Sequence, residues 1–318
     1  MSLGSFGTSF LRHIAQRFYL SKARAGRPGE RLFSELMAKS LASELALRED
    51  LFDNVTVDAE KRAKFLRAPL PERRYMLFFT ARSGSSRLGE MLERARVLGQ
   101  PNEAFNFRFV PNIAQAYQAD TLEAYVDMLL RRRNTRGTYG VEITYAHMMN
   151  LFGSMDRLIE MMAPTSYIWL IRENLLAQAL SLSKLIQTKV AHSTAADQTS
   201  QMAADAAFQY KPLEILHAMA RYCVEEDRLE ADMARFGIKP LCLSYEQTVG
   251  QPDTVILRTI ADHIGVGAVD LQPAPTSHHK LLGCRSAEYA ERFAQEYPDF
   301  LARMTDYRAA RIERLHKF

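Results

Sequence analysis

"YMLFFTARSGSSRLGEMLERARVLGQPNEAF", Tyr75–Phe105, decides how the rest of the chain is read. Leu77, Phe78 and Phe79 are apolar enough for a strand covered on both faces. Arg82-Ser83-Gly84-Ser85-Ser86 then interrupts the run with small polar residues, and Leu88, Met91, Leu92 and Ala95 resume it at helical spacing. A strand that turns tightly into a helix presents the helix's first N–H groups at the carboxyl end of a sheet, where an anion is well received. Gly84 lets the backbone approach closely, the serines donate, and Arg82 adds a planar fork of charge-assisted donors. Taken alone, the same letters also suit a plain helix cap, since Ser before a helix and Gly in a turn need no ligand.

Working outward, four short apolar runs read as strands: Tyr75–Thr80, Thr138–Ile143, Ser166–Ile171 and Lys239–Ser244. Between them lie helices with clear starts, such as Asp120-Thr121 before Leu122, and Ser154 before Leu158 and Ile159. The alternation predicts a mostly parallel α/β sheet flanked by helices over residues 71–318. Residues 1–70 read as a helical N-terminal extension. Leu11, Ile14, Ala15 and Phe18 make one apolar stripe, with Arg12, Arg17, Lys22 and Arg24 mostly off it, and Glu30–Phe52 is periodic enough for a second helix. A basic amphipathic helix either touches a membrane surface or packs on its own domain. His192–Ala207 is poor in large apolar residues and reads as a loop or frayed helix end.

Composition narrows the function. A net charge of +4, from 41 Lys+Arg against 37 Asp+Glu, is too mild for nucleic acid as the main partner. Cys223, Cys242 and Cys284 are odd in number and widely spaced, which suggests neither a disulfide framework nor zinc. His147, His192, His217, His278 and His279 show no metal spacing, so no metal is expected. No Gly-Lys-Ser/Thr occurs, which counts against a P-loop nucleoside triphosphatase. The chain has no apolar run of membrane-spanning length and no secretory leader pattern, so a cytoplasmic location is expected.

"FFTARSGSSRLGEML", "GQPNEAF", "GTYGVEITY", "YIWLIRENLLAQALSLSKLIQTKV" and "KPLCLSYEQTVGQP", in this order, resemble the bacterial trehalose sulfotransferase family, and more distantly other PAPS-dependent sulfotransferases. The likeness runs from about Arg74 to Phe293. It implies a P-loop-like sheet (the sulfotransferase fold), with 3′-phosphoadenosine 5′-phosphosulfate (PAPS) as donor. It places the 5′-phosphosulfate on Arg82, Ser83, Gly84, Ser85 and Ser86, and makes Glu103 of Pro101-x-Glu103-x-Phe105 the catalytic base. By the same resemblance Arg172 and Ser181 bind the 3′-phosphate, Lys280 and Arg285 cover it or the adenosine, and Lys184, Gln187 and Thr188 border the acceptor. A carbohydrate or glycolipid hydroxyl is the implied acceptor, a homodimer the implied assembly.

The chemistry asks little of a protein. Acceptor oxygen, sulfur and leaving phosphate must be in line, the acceptor's proton needs a base, and charge growing on the leaving phosphate needs donors. Arg82, always charged, suits the last task but not proton donation. The chain departs from the family at Glu142, where a lysine is common, and at Tyr145, where a tryptophan is; both fall in the acceptor region, and Glu142 either alters what binds or pairs with a nearby arginine. The alternatives are a nucleotide-dependent kinase-like phosphotransferase and a non-catalytic nucleotide-binding scaffold.

Overall fold

In a computed structural model of the chain, residues 47–190, 198–267 and 283–318 are described. The expected helix near residues 11–24, most of the one over Glu30–Phe52, and His192, His278, His279 and Lys280 lie outside them. The chain divides into two compact units: a sheet unit (Ser43–Glu173, Glu225–Ser277, Arg314–Phe318) and a helical unit (Met1–Ala42, Asn174–Val224, His278–Glu313).

In the sheet unit, β1 (Arg73–Phe79), β2 (Thr138–Ile143), β3 (Ser166–Ile171) and β4 (Leu241–Ser244) form one sheet in the order β2-β1-β3-β4. Every pairing is parallel, with Leu77 opposite Glu142 and opposite Ile168. Tyr75 to Phe79 are all buried, so β1 is covered on both faces, as its unbroken apolar run requires. Burying residues such as Leu77 and Phe78 contributes about 1.5–3 kcal/mol each. On one face, Tyr75, Leu77, Ile168, Leu170 and Leu243 pack with Leu88, Met91 and Leu92 of α2 (Ser85–Arg94) and with Ile256, Leu257 and Ile260 of a helix at Asp253–His263.

Upstream of the sheet, a 3-10 turn at Glu49–Phe52 and α1 (Ala59–Leu66) dock on α3 (Val110–Tyr117) and α4 (Leu122–Arg132). The Thr56 N–H donates to Gln115 Oε1 (2.9 Å) and the Asp58 N–H to Gln118 Oε1 (2.7 Å), while the Phe52 ring meets Tyr125 edge-on. The last residues of the N-terminal seventy are therefore bound to the sheet unit. The expected starts at Thr121 and Ser154 are side-chain caps, accepting from the Ala124 and Arg157 N–H groups.

β2 and β3 span the residues read as strands. β1 begins two residues earlier than expected, because Arg73 and Arg74 pair with Thr138 and Tyr139 despite their charge. β4 begins two residues later, at Leu241, since Pro240 before it lacks an N–H for the ladder.

The order of the strands sets where a ligand belongs. β1 connects onward to β2 on one side of it, whereas β3, its other neighbour, connects onward to β4 in the opposite direction. Their adjacent carboxyl ends form a topological switch point, the place where open α/β sheets bind ligands.

The helical unit holds α7 (Leu175–Thr188), α8 (Gln198–Ala207), α12 (Cys284–Glu296) and α13 (Pro298–Ile312), together with α9 (Pro212–Arg235) as far as Val224. α8 shows that the second half of the stretch read as a loop or frayed end is helix. Completing the sheet unit are α5 (Tyr145–Phe152), α6 (Met155–Met162), α10 (Tyr245–Gly250) and the α11 already met at Asp253–His263.

Candidate active site at the carboxyl edge of the sheet

Each strand of the sheet hands over to a helix, and three of those helices close their own first turn with a side chain. Thr144 Oγ1 accepts from the His147 N–H (3.1 Å), Asn174 Oδ1 from Ala177 (2.9 Å) and Ser244 Oγ from Gln247 (3.0 Å). The helix after β1 does not. α2 starts on Gly84, at φ +87°, with no side-chain cap among the described residues, so the Ser85 and Ser86 N–H groups face an anion while the Arg87 N–H already donates to Gly84 O (3.1 Å).

The loop feeding α2 is bent to face that way. The Ser83 N–H donates to Thr80 O (3.1 Å), closing a turn in which Arg82 takes φ +67°, a conformation that costs a non-glycine residue about 1–2 kcal/mol. Backbone alternating about such positions forms a concave nest of N–H groups suited to phosphate or sulfate. Ser83 is fully buried, yet its Oγ has no hydrogen-bond partner among the described residues. An unsatisfied buried hydroxyl costs about 1–3 kcal/mol, so strain and an unused donor sit together at one loop.

A second cation is fastened to the loop. Arg172, just past the end of β3, donates from Nη1 to Arg82 O (3.1 Å), and its guanidinium lies 4.6 Å from the centre of the Tyr245 ring. Tyr245 in turn packs on Gly84, where a Cβ would come within 2.3 Å of the ring. Glu246 accepts from the Glu173 N–H (2.8 Å) and lies 3.9 Å from Arg172, while the Ser244 hydroxyl donates to Glu173. Tyr245 and Glu246 were not singled out from the sequence. The signal lay in "SYEQ": Ser244 and Gln247 form a capping box, which fixes the two residues between them at the first turn of α10, beside the switch point.

The carboxylates stand on the β2 side of the loop. Glu103 is half-buried and accepts from Asn106 Nδ2 (2.8 Å). Glu142, on β2, is 3% exposed and has no ion pair among the described residues, so the arginine partner considered for it is absent there. Burial, reinforced by the negative charge of Glu103, pushes its carboxyl up to about 8, with a hydrogen bond to Ser85 pulling slightly the other way. Tyr145 opens α5, and burial together with Asp232 raises its hydroxyl to about 12.

The structure thus brings Arg82, Ser83, Gly84, Ser85, Ser86, Glu103, Glu142 and Arg172 to one edge of one sheet. The remaining expected residues belong to the helical unit. Ser181 is half-buried on α7. Lys184 pairs with Asp205 (2.7 Å), Gln187 donates to Ser183 (3.0 Å) and Glu214 (3.2 Å), and the Thr188 hydroxyl donates to Lys184 O (2.8 Å). Arg285 donates from Nη1 to Phe208 O (3.0 Å). No group of three or more His, Cys, Asp and Glu side chains able to hold a metal occurs among the described residues.

The family model of the Stf0 sulphotransferases matches residues 74–296. Among solved structures, a sulfotransferase from Alicyclobacillus acidocaldarius is 14% identical, with the match covering 74% of this chain and 99% of that one at a TM-score of 0.41. Among curated proteins, no match is found.

Proposed function

Because the chain belongs to the Stf0 sulphotransferase family, we propose that it moves a sulfuryl group from PAPS to a hydroxyl of a carbohydrate or glycolipid. The observation that carries the reading is the open first turn of α2, with its strained loop, the unpartnered Ser83 hydroxyl and the attached Arg172. In this reading the N–H groups of Gly84, Ser85 and Ser86 and the hydroxyls of the loop serines, that of Ser83 among them, receive the 5′-phosphosulfate with Arg82. Arg172 meets the 3′-phosphate together with Ser181, and Lys280 and Arg285 are further candidates for it.

Transfer then needs one proton acceptor. Glu103 takes the proton of the attacking hydroxyl as the new O–S bond forms. The S–O bond to the phosphate breaks, its electron pair leaves with 3′,5′-bisphosphate (PAP), and the loop's donors meet the growing charge. The sulfuryl group carries a single negative charge, so fixed cations and N–H groups can serve where phosphoryl transfer uses Mg²⁺. Lys184, Gln187 and Thr188, and Tyr145 on the β2 side, are the residues proposed to meet the acceptor; Glu142, enclosed beneath the anion loop, does not reach it.

Transfer of labelled sulfate from PAPS, in EDTA, to polysaccharide and lipid extracts tests this. Labelled product in one extract, absent with Glu103→Gln, is expected; phosphate transfer from ATP that requires magnesium would contradict it. The amphipathic segments of residues 1–70 would bring the enzyme to lipid-borne acceptors, and vesicle binding undiminished by their deletion would remove that role.

A further inference from the structure

A buried acid with no ion pair among the described residues needs an explanation, and the sheet unit holds one in Glu142. It occupies the face of β2 that looks toward α2, in register with Leu77. Its carboxyl fills the space left by Gly89, one turn into α2, where a Cβ would lie 2.1 Å from Oε1. Any side chain at Gly89 would displace it. The Glu142 N–H donates to Asn102 O (3.0 Å), which ties its backbone to the residue just before Glu103. Its hydrogen-bonding neighbour is Ser85, the first residue of α2 and part of the anion loop. The titratable groups acting on it are Glu103 from the 101–106 segment and Tyr75 from β1, whose hydroxyl donates to Leu98 O (2.6 Å). No base is among these.

Two carboxyls sharing one site cannot both ionise easily, and the one with less access to water keeps the proton. Glu142 is enclosed, whereas Glu103 is half-buried and fixed by Asn106. We propose that Glu142 is a positioning residue that stays protonated at neutral pH, leaving Glu103 as the ionised base and keeping the floor of the anion loop uncharged. This rests on the sulfotransferase reading above. The proton taken from the acceptor goes to Glu103, and Glu142 neither gains nor loses one during transfer. When Glu142 does ionise, it sets a negative charge under Ser85 and opposes the donor's phosphate.

The test is calorimetric titration of PAP against the full chain and against Glu142→Gln from about pH 7 to about pH 9, a range in which both PAP phosphates are already ionised. Wild-type affinity is expected to fall about tenfold across the range, with proton uptake on binding near its upper end, while the Gln variant, a neutral isostere, stays flat. Binding by both proteins with the same pH profile would overturn this proposal alone. Absence of PAP binding by either protein would overturn the donor assignment and this proposal with it. Infrared spectra of the unaltered protein give an answer even if the variant misfolds: a protonated-carboxyl band present at about pH 7 and lost by about pH 9 is expected, and no such band at the lower pH would contradict it.

Discussion

The joins β1–α2 and β4–α10 sit at the same edge of the same sheet and solve one problem in opposite ways. After β4 the chain closes its helix start with a reciprocal capping box, Ser244 with Gln247. After β1 it starts the helix on a glycine, twists Arg82 into the left-handed region and leaves the Ser83 hydroxyl without a partner among the described residues. The closed join is optimised for stability. The open one gives up stability at three points in a row, which fits a loop whose partner is a ligand. The two also touch, through Tyr245 on Gly84 and Arg172 on Tyr245, so the closed join is the rigid wall against which the open one is shaped.

Glu103→Gln bears hardest on the claim that chemistry happens beside the open join. Turnover of PAPS should fall by about 10²–10⁴ while PAP affinity is kept, measured by sulfate transfer and calorimetry. A loss of binding equal to the loss of rate would mark Glu103 as structural.

Glu142 should appear in the pH dependence of stability. Its folded value of about 8 lies above the unfolded carboxylate range, so the native state binds the extra proton. The stabilisation is full below about pH 4.5 and is lost as pH rises to about 8, a slope summing to the order of 5 kcal/mol that denaturant unfolding would detect and Glu142→Gln would lack.

Gly84→Ala tests the contact between the joins. A Cβ at φ +87° within 2.3 Å of the Tyr245 ring should cost about 1–3 kcal/mol and weaken PAP binding at least about tenfold.

The smallest effects are the most discriminating, because they should cross. Ser244→Ala should cost about 1 kcal/mol of stability with little change in PAP affinity. Ser83→Ala should leave thermal stability unchanged or raised, since its hydroxyl bonds nothing among the described residues, yet weaken PAP binding severalfold. Equal effects at both serines would erase the distinction between the joins.

Much of the sheet was legible in the sequence because buried parallel strands are written as short unbroken apolar runs; "SYIWLI" needed no partner to be recognised. The anion loop was legible too, since it is one contiguous segment. What could not be read were properties created by contact between distant segments. Nothing near "GVEIT" says that Glu142 will face Gly89 and Glu103 rather than an arginine. Nothing in "LIRENL" says that Arg172 will be held by the Arg82 carbonyl and the Tyr245 ring. Strand ends were misread by two residues where charge or proline, rather than hydrophobicity, decided the ladder.

The most direct test of the open join is a crystal structure of the chain with PAP. The 5′-phosphate is expected on the first turn of α2, about 3 Å from the N–H groups of Gly84, Ser85 and Ser86 and from the Ser83 hydroxyl. A phosphate bound elsewhere, with the Gly84 turn left empty, would contradict the account.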